Sequence, residues 1–392
     1  MKKILLALIA FLPLLANAQD DLIKKLENNK SDSAKKKFDF KEIIRLDCTN
    51  VKAQGSSGTC WSYSTNSFLE SEMIRMGKKP VDLAEIFTAR NVYIEKAENY
   101  IKMHGAVSWG DGGECHDAIN MYAKYGALPQ SVYSGLHHGA TKNQFGEMQA
   151  VLKGMLDAWV RNPNGKINPD WKKIFTGVLD SYLGKVPETF KYHGKEYTPK
   201  SFADEVVGIH PEDYVELASF TDKPYYEQSI FMVPDNWNFE KVYNIHMHEI
   251  TDIIDHALEK GYTVAWAADV SEKYFSWKSG VAFVPEKEWD DMSEEEQKDL
   301  FNGPKPERKI TARKRQLGLD DYATTDDHGM HIVGKATDKN GREYYIVKNS
   351  WGEKNDYKGY IYVTKNYVLY KTTAILLHKK GLPGEIRRKL SM

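Results

Sequence analysis

Cysteine is scarce in this 392-residue chain, net charge is almost absent, and no long apolar run follows its first eighteen residues. Each shortage excludes something. Cys48, Cys60 and Cys115 are too few for the disulfide framework of a small secreted scaffold. Their odd number leaves at least one thiol outside any intramolecular pair, and a Cys48–Cys115 bridge stays open. A formal net charge of −1 gives no electrostatic footprint for nucleic acid. The basic run Glu307 to Arg315 follows the acidic stretch Trp289 to Leu300 and reads as a solvated insertion. No later segment approaches the roughly 18 apolar residues of a membrane span. There is neither a solenoid repeat nor a phosphate-cradling glycine motif.

What is present is the composition of an ordinary globular protein, 41% hydrophobic and 28% charged, long enough for one large or two medium domains. At the N-terminus, Lys2 and Lys3 precede the apolar run Ile4 to Leu15, and Ala16-Asn17-Ala18 supplies a small-residue cleavage pattern. Residues 1–18 therefore read as a signal peptide for export to a periplasm or the exterior, and 19–37 as a polar, lysine-rich lead-in.

The chemistry concentrates at Gln54-Gly55-Ser56-Ser57-Gly58-Thr59-Cys60-Trp61. A glycine-rich loop there delivers one cysteine to the start of a helical pattern, where the macrodipole and backbone N–H groups favour thiolate. Trp61, Thr65, Phe68, Leu69 and Met76 fall near one helical face, and Glu72 interrupts it, so the far end is expected to reach solvent. Gln54 is a carboxamide placed to donate, with the Cys60 N–H, to an oxyanion. Taken alone, the loop also fits a buried, inert cysteine.

A nucleophilic cysteine needs a base and the base an orienter. Asp327-His328-Gly329 opens a segment that reaches the turn Asp338-Lys339-Asn340-Gly341, followed by the strand-like Tyr344 to Lys348 and then Asn349-Ser350-Trp351-Gly352. Asn-Gly between two apolar runs predicts a hairpin that sets a histidine strand beside one ending in Asn349. The Asn349 carboxamide would then fix the imidazole tautomer, with Trp351 shielding the bond. His331 is the competing base, but three positions on in a strand it faces the other way.

Gln-Gly-x-x-Gly-x-Cys-Trp, Asp-His-Gly-x-x-x-Val-Gly and Asn-Ser-Trp-Gly, in that order, resemble the papain-like cysteine peptidases. Ser57, Gly112-Gly113-Glu114, Lys124 to Pro129, Val233 to Trp237 and Lys260 to Trp266 resemble the bleomycin hydrolase and aminopeptidase C branch. The resemblance implies an α+β, papain-like two-lobed fold with insertions, a helical lobe and a β-barrel-like lobe flanking a cleft. It places the peptidase domain at 38–392, the helical lobe mainly at 54–135, an insertion at about 136–230 and the β lobe mainly at 231–380. It implies Cys60 as nucleophile, His328 as base and acid, Asn349 as orienter, Gln54 as oxyanion donor, and Gly112 and Gly113 along the non-primed cleft. Peptide substrates, no cofactor, no metal and a homo-oligomer as one option follow. Relatives of this branch send a C-terminal tail into the cleft, which makes them aminopeptidases. This sequence stops at Met392, soon after Gly381 to Leu390, so endopeptidase action is the alternative expectation. A peptide-binding pseudoenzyme and an acyl transferase are the others.

Other features have plainer readings. His246-Met247-His248 alternates like a strand, and without a third ligand it is a weak metal site. His137-His138 reads as a loop pair. Tyr225, Tyr226, Phe231, Trp237 and Phe239 read as core or cleft wall. Glu85 and Asn91 read as helix residues without assigned chemistry, and 147–182 as helices beside the cleft.

Overall fold

The computed structural model describes residues 38–392, so the expected signal peptide and lead-in lie outside the described residues. Helices form one lobe. The cysteine opens α1 (Cys60–Arg75), followed by α2 (Glu85–Lys102), α3 (Cys115–Tyr125), α4 (Gly146–Val160) and α5 (Trp171–Leu183). Helix α1 is buried on all sides from Cys60 to Met73 although much of it is polar. Several of its polar groups are satisfied internally: Ser62 Oγ donates to the Glu85 carbonyl at 2.8 Å and Asn66 Nδ2 to the Ser62 carbonyl at 2.8 Å.

The far end of α1 reaches solvent as expected, with Met76 36% exposed, but Glu72 itself does not. Glu72 is 1% exposed because Arg75 pairs with it at 2.8 Å and the Tyr214 hydroxyl donates to it at 3.1 Å. Helices α4 and α5, within the stretch expected to be an insertion, share the apolar core of α1–α3 through Leu152, Leu156, Phe175 and Leu179. Arg90 on α2 also pairs with Asp180 on α5 at 2.6 Å.

The second lobe is built on a mixed sheet. In chain order its main strands are β1 (Phe40–Arg45), β2 (Tyr214–Ala218), β3 (Val264–Ala268), β4 (His328–Asp338), β5 (Glu343–Lys348), β6 (Tyr360–Thr364) and β7 (Thr372–His378). They lie in the order β2-β7-β3-β4-β5-β6, all antiparallel, with short strands extending both ends. Strand β4 pairs with β3 from His328 to Ile332 and with β1 from Gly334 to Asp338, exchanging one neighbour for the other along its length. The expected hairpin joins β4 to β5, with Gly341 at φ +80°. The sheet thus draws β1 and β2 from outside the 231–380 span expected for it.

Helix α6 (Met247–Glu259) packs on this sheet, burying Ile250, Ile253, Ile254, Ala257 and Leu258. His246 is the residue preceding it, and the Glu249 carboxylate accepts its backbone N–H at 2.9 Å. The His246/His248 alternation is therefore the start of a helix, not a strand. The C-terminal turn Gly384–Lys389 docks here too, with Ile386 and Leu390 buried and Lys389 paired to Glu249 at 3.2 Å.

The lobes are joined by a buried ion pair, His116 Nδ1 on α3 to Glu216 Oε2 on β2 at 2.5 Å. Burial lowers the imidazole's affinity for its proton, but the Glu216 carboxylate outweighs it and pushes His116 up to about 9. A raised histidine contributes stability that is complete below its ordinary value near 6.5 and lost as pH rises through about 9. Glu216→Ala should cost about 3–5 kcal/mol by leaving the other partner buried alone. His116→Gln should flatten the fall of melting temperature between pH 7 and 9.5 that the native protein shows. Identical pH profiles in native and variant melts would contradict this.

Candidate active site

The loop before α1 is held from several directions. Gly55 adopts φ +64°, and a Cβ there would lie 2.7 Å from the Asn143 carbonyl. Asn143 Nδ2 donates to the Gln54 carbonyl at 3.0 Å and to the Tyr63 hydroxyl at 2.9 Å. Ser57 Oγ donates to the same carbonyl at 2.8 Å. Asp111 accepts from the Gly58 N–H at 3.0 Å, and its carbonyl accepts from the Trp61 indole at 2.9 Å. These anchors deliver Cys60 to the first turn of α1, where the dipole favours thiolate.

Strand β4 supplies the imidazole. At Gly329 a Cβ would meet Trp61 backbone at 2.9 Å and Ser64 Oγ at 2.8 Å, so only glycine lets β4 lie this close to α1. That approach puts His328 and Cys60 on the wall of one small cavity. His328 Nε2–H donates to Asn349 Oδ1 at 2.7 Å, and Nδ1 has no hydrogen-bond partner among the described residues. Trp351 lies over the pair, its ring 4.5 Å from the imidazole, beneath Phe275 and Trp277.

Gln54 is fully buried. Ser350 Oγ donates to its Oε1 at 2.6 Å and so fixes the amide with Nε2 as donor. Nε2 gives one hydrogen to the Ser57 carbonyl at 2.6 Å and keeps a second. Backbone Gln54 N–H also donates to the Ser350 carbonyl at 2.8 Å, tying the cysteine loop to the asparagine loop. Gly112 and Gly113 line the cavity, Gly113 close against the Trp61 ring.

His331 lies elsewhere. It is fully buried, with Nδ1 3.0 Å from Ser67 Oγ, in a polar seam with Lys348, which donates to Ser67 at 2.7 Å and Thr49 at 3.0 Å. Burial and the Lys348 ammonium hold its proton affinity well down. Nearby, Glu70, Asp82 and Glu85 converge as a metal site would, but the Lys52 ammonium occupies their centre, 2.5 Å from Glu85 and 3.3 Å from Glu70. No disulfide joins the three cysteines: Cys48 lies 3.4 Å from the Tyr360 hydroxyl, and Cys115 is buried at the start of α3.

Sequence reasoning passed over Ser350, Asp111 and Asn143. Ser350 sat inside the quoted Asn-Ser-Trp-Gly and Asp111 just before the glycine pair, so both had a local signal. Asn143 had none, because it reaches the loop from 89 positions away.

The Peptidase C1-like family matches residues 173–392, more than half of the chain and inclusive of His328 and Asn349. The chain belongs to that family. It is similar along most of its length to Aminopeptidase W of Lactobacillus delbrueckii subsp. lactis, 23% identical over 386 residues, covering 88% of this chain and 84% of that one. Aminopeptidase C of Listeria monocytogenes is 25% identical over 379 residues, with 86% and 81% covered. Mitochondrial cysteine proteinase 1 of Saccharomyces cerevisiae is 21% identical over 423 residues, with 96% and 83% covered. The crystal structure of PepW from Lactobacillus rhamnosis superposes with a TM-score of 0.70 at 20% identity, covering 95% of this chain and 91% of that one, which bears out the papain-like fold.

In this cysteine peptidase, burial draws the His328 imidazole down to about 4, with the Asn349 carboxamide opposing it. The neutral, proton-accepting ring is then present above that value and lost as pH falls through it. The acid limb of kcat/KM should lie well below pH 6.5. Asn349→Ala should move that limb lower and cost about 10- to 100-fold in kcat, the worth of one charge-assisted hydrogen bond. A limb unmoved at 6.5 would contradict the assignment.

Proposed function

We propose that the protein is an exported cysteine peptidase that hydrolyses oligopeptides from the N-terminus, with Cys60 as nucleophile, His328 as base and acid, Asn349 as orienter and Gln54 as oxyanion donor. What carries this reading is the His328 imidazole, bonded to Asn349 through Nε2 and leaving Nδ1 for the cavity it shares with Cys60. The names of the similar aminopeptidases support the substrate class. A cleft of about 850 Å³ adjoins the cavity, lined by Gly58, Asp111, Gly112, Met232, Asp326 and Tyr322, with Met232 71% and Tyr322 84% exposed, a surface suited to a peptide. The charged, apolar and small-residue pattern of residues 1–18 supports export.

The chemistry follows from the placement. His328 Nδ1 takes the Cys60 proton, and the sulfur attacks the peptide carbonyl carbon. The oxyanion gathers the Cys60 N–H and the second Gln54 N–H. As the C–N bond breaks, the imidazolium returns its proton to the leaving amine, and a thioester to Cys60 remains. Water, deprotonated by His328, attacks the thioester, and the sulfur leaves as the acid is released.

Cys60→Ala should lower turnover of aminoacyl amides and short peptides by at least about 10³-fold. His328→Ala should do the same, and His331→Ala should act mainly on stability. Wild-type turnover in Cys60→Ala, or full activity in His328→Ala, would sink the proposal. Secreted protein beginning at Gln19 would support export; retention inside the cell at full length would contradict it.

A further inference from the structure

A substrate strand laid along Gly112 and Gly113 meets an obstacle in this fold. The carboxylate of Asp235, on the loop after Val233, fills the space beside Gly112 so closely that a Cβ on the glycine would lie 1.8 Å from Oδ2. The Asp235 N–H in turn donates to Asp326 Oδ2 at 3.1 Å, which locks this loop to the segment entering β4. Glu114 adds a third carboxyl, which shares a hydrogen bond with that of Asp326. It is 1% exposed, it lines the same cavity as Cys60 and His328, and among the described residues no hydrogen-bond donor reaches its Oε1. Lys96 directs its ammonium to the Gly110 and Gly112 carbonyls and from there favours the charged form of Asp235, against the larger effect of burial. Asp117, the next carboxylate, is already engaged by the Glu114 N–H and the Trp237 indole, both at 2.9 Å.

Three carboxyls from three distant segments thus crowd one wall beside the nucleophile, with a buried acceptor unserved. Such a group costs stability unless a donor or cation completes it. The room left in the cavity they share with Cys60 is about 10 Å³, enough for one water-sized group, and it opens on the cleft of about 850 Å³ that Gly112, Asp235 and Asp326 also line.

We propose that Glu114, Asp235 and Asp326 are the seat of the substrate's α-ammonium group, so that peptides are read from their first residue. This rests on the peptidase reading above and names the residues that would set which chain end is accepted. The α-nitrogen of a first residue lies roughly 2.5 Å from the carbonyl carbon under attack. A seat on the wall of the Cys60 cavity therefore fits the ammonium of the residue being removed. Asp235 would both close the path beside Gly112 to a longer chain and supply part of the charge.

The test measures kcat/KM on a leucyl amide and on its N-acetylated and N-acetyl-lysyl counterparts, for the native protein, Glu114→Gln and Asp235→Asn, with melting temperatures alongside. The native protein should favour the unblocked substrate strongly, and each folded variant should lose about tenfold or more of that preference. Asp235→Asn, on a half-buried loop, carries the test where Glu114→Gln melts early. Folded variants that keep the native preference overturn the seat, and so does equal native turnover of blocked and unblocked leucyl amides; both leave the peptidase reading intact. A preference for the acetyl-lysyl substrate overturns it in favour of a side-chain pocket. Absence of turnover on all substrates by the native protein overturns the peptidase reading itself.

Discussion

Everything chemical in this molecule depends on how closely α1 lies against β4. The contact exists because position 329 has no side chain: any Cβ would collide with Trp61 and Ser64. Through it the helix that carries the thiol and the strand that carries the imidazole belong to different lobes yet share one cavity. Interiors pack too densely to absorb an added methyl here without moving one lobe. The loops on either side are then cross-tied, Gln54 to Ser350 by main chain and side chain and His328 to Asn349 by a buried bond. Each tie holds a donor or acceptor in a rotamer that the chemistry needs.

Behind this contact lies a polar interior rather than an oily one. Lys52 gathers Glu70, Asp82 and Glu85; Lys348 joins Ser67 and Thr49; His331 completes the seam. Buried ions such as these contribute little net stability, and their geometric demand fixes α1, α2 and β5 in one register. Burial of Glu85 raises its carboxyl to about 7, against the Lys52 ammonium, which favours the charged form. The His328 imidazole is subject to the same desolvation, which holds it in the neutral form.

The parts legible in sequence were those written locally. The cysteine loop, the Asn-Gly hairpin and the Asn-Ser-Trp-Gly turn each carry their geometry within about ten residues, and the papain-like architecture follows from their order. Strand β2 was not legible: Tyr-Val-Glu-Leu-Ala is buried on both faces and shows no alternation, and its antiparallel partner β7 lies more than 150 positions away. Glu72 rightly marked where α1 nears solvent, one turn before the exposed Met76, but its own burial was not legible because Arg75 and Tyr214 offset it only in the fold. His246 mimicked a strand because a helix N-terminus begins in extended backbone. The carboxylate wall was invisible for a stronger reason, since residues 114, 235 and 326 meet only through the tertiary fold.

The central claim is that Cys60 and His328 act as one unit across the lobe boundary. The direct measurement is the rate of Cys60 carboxamidomethylation by iodoacetamide against pH, read by peptide mass so that Cys48 and Cys115 are scored separately, in the native protein and in His328→Ala. The account predicts reactive Cys60 well below the ordinary thiol range near pH 8.5 in the native protein, with that reactivity lost in the variant. Superimposable profiles in the two proteins would contradict it.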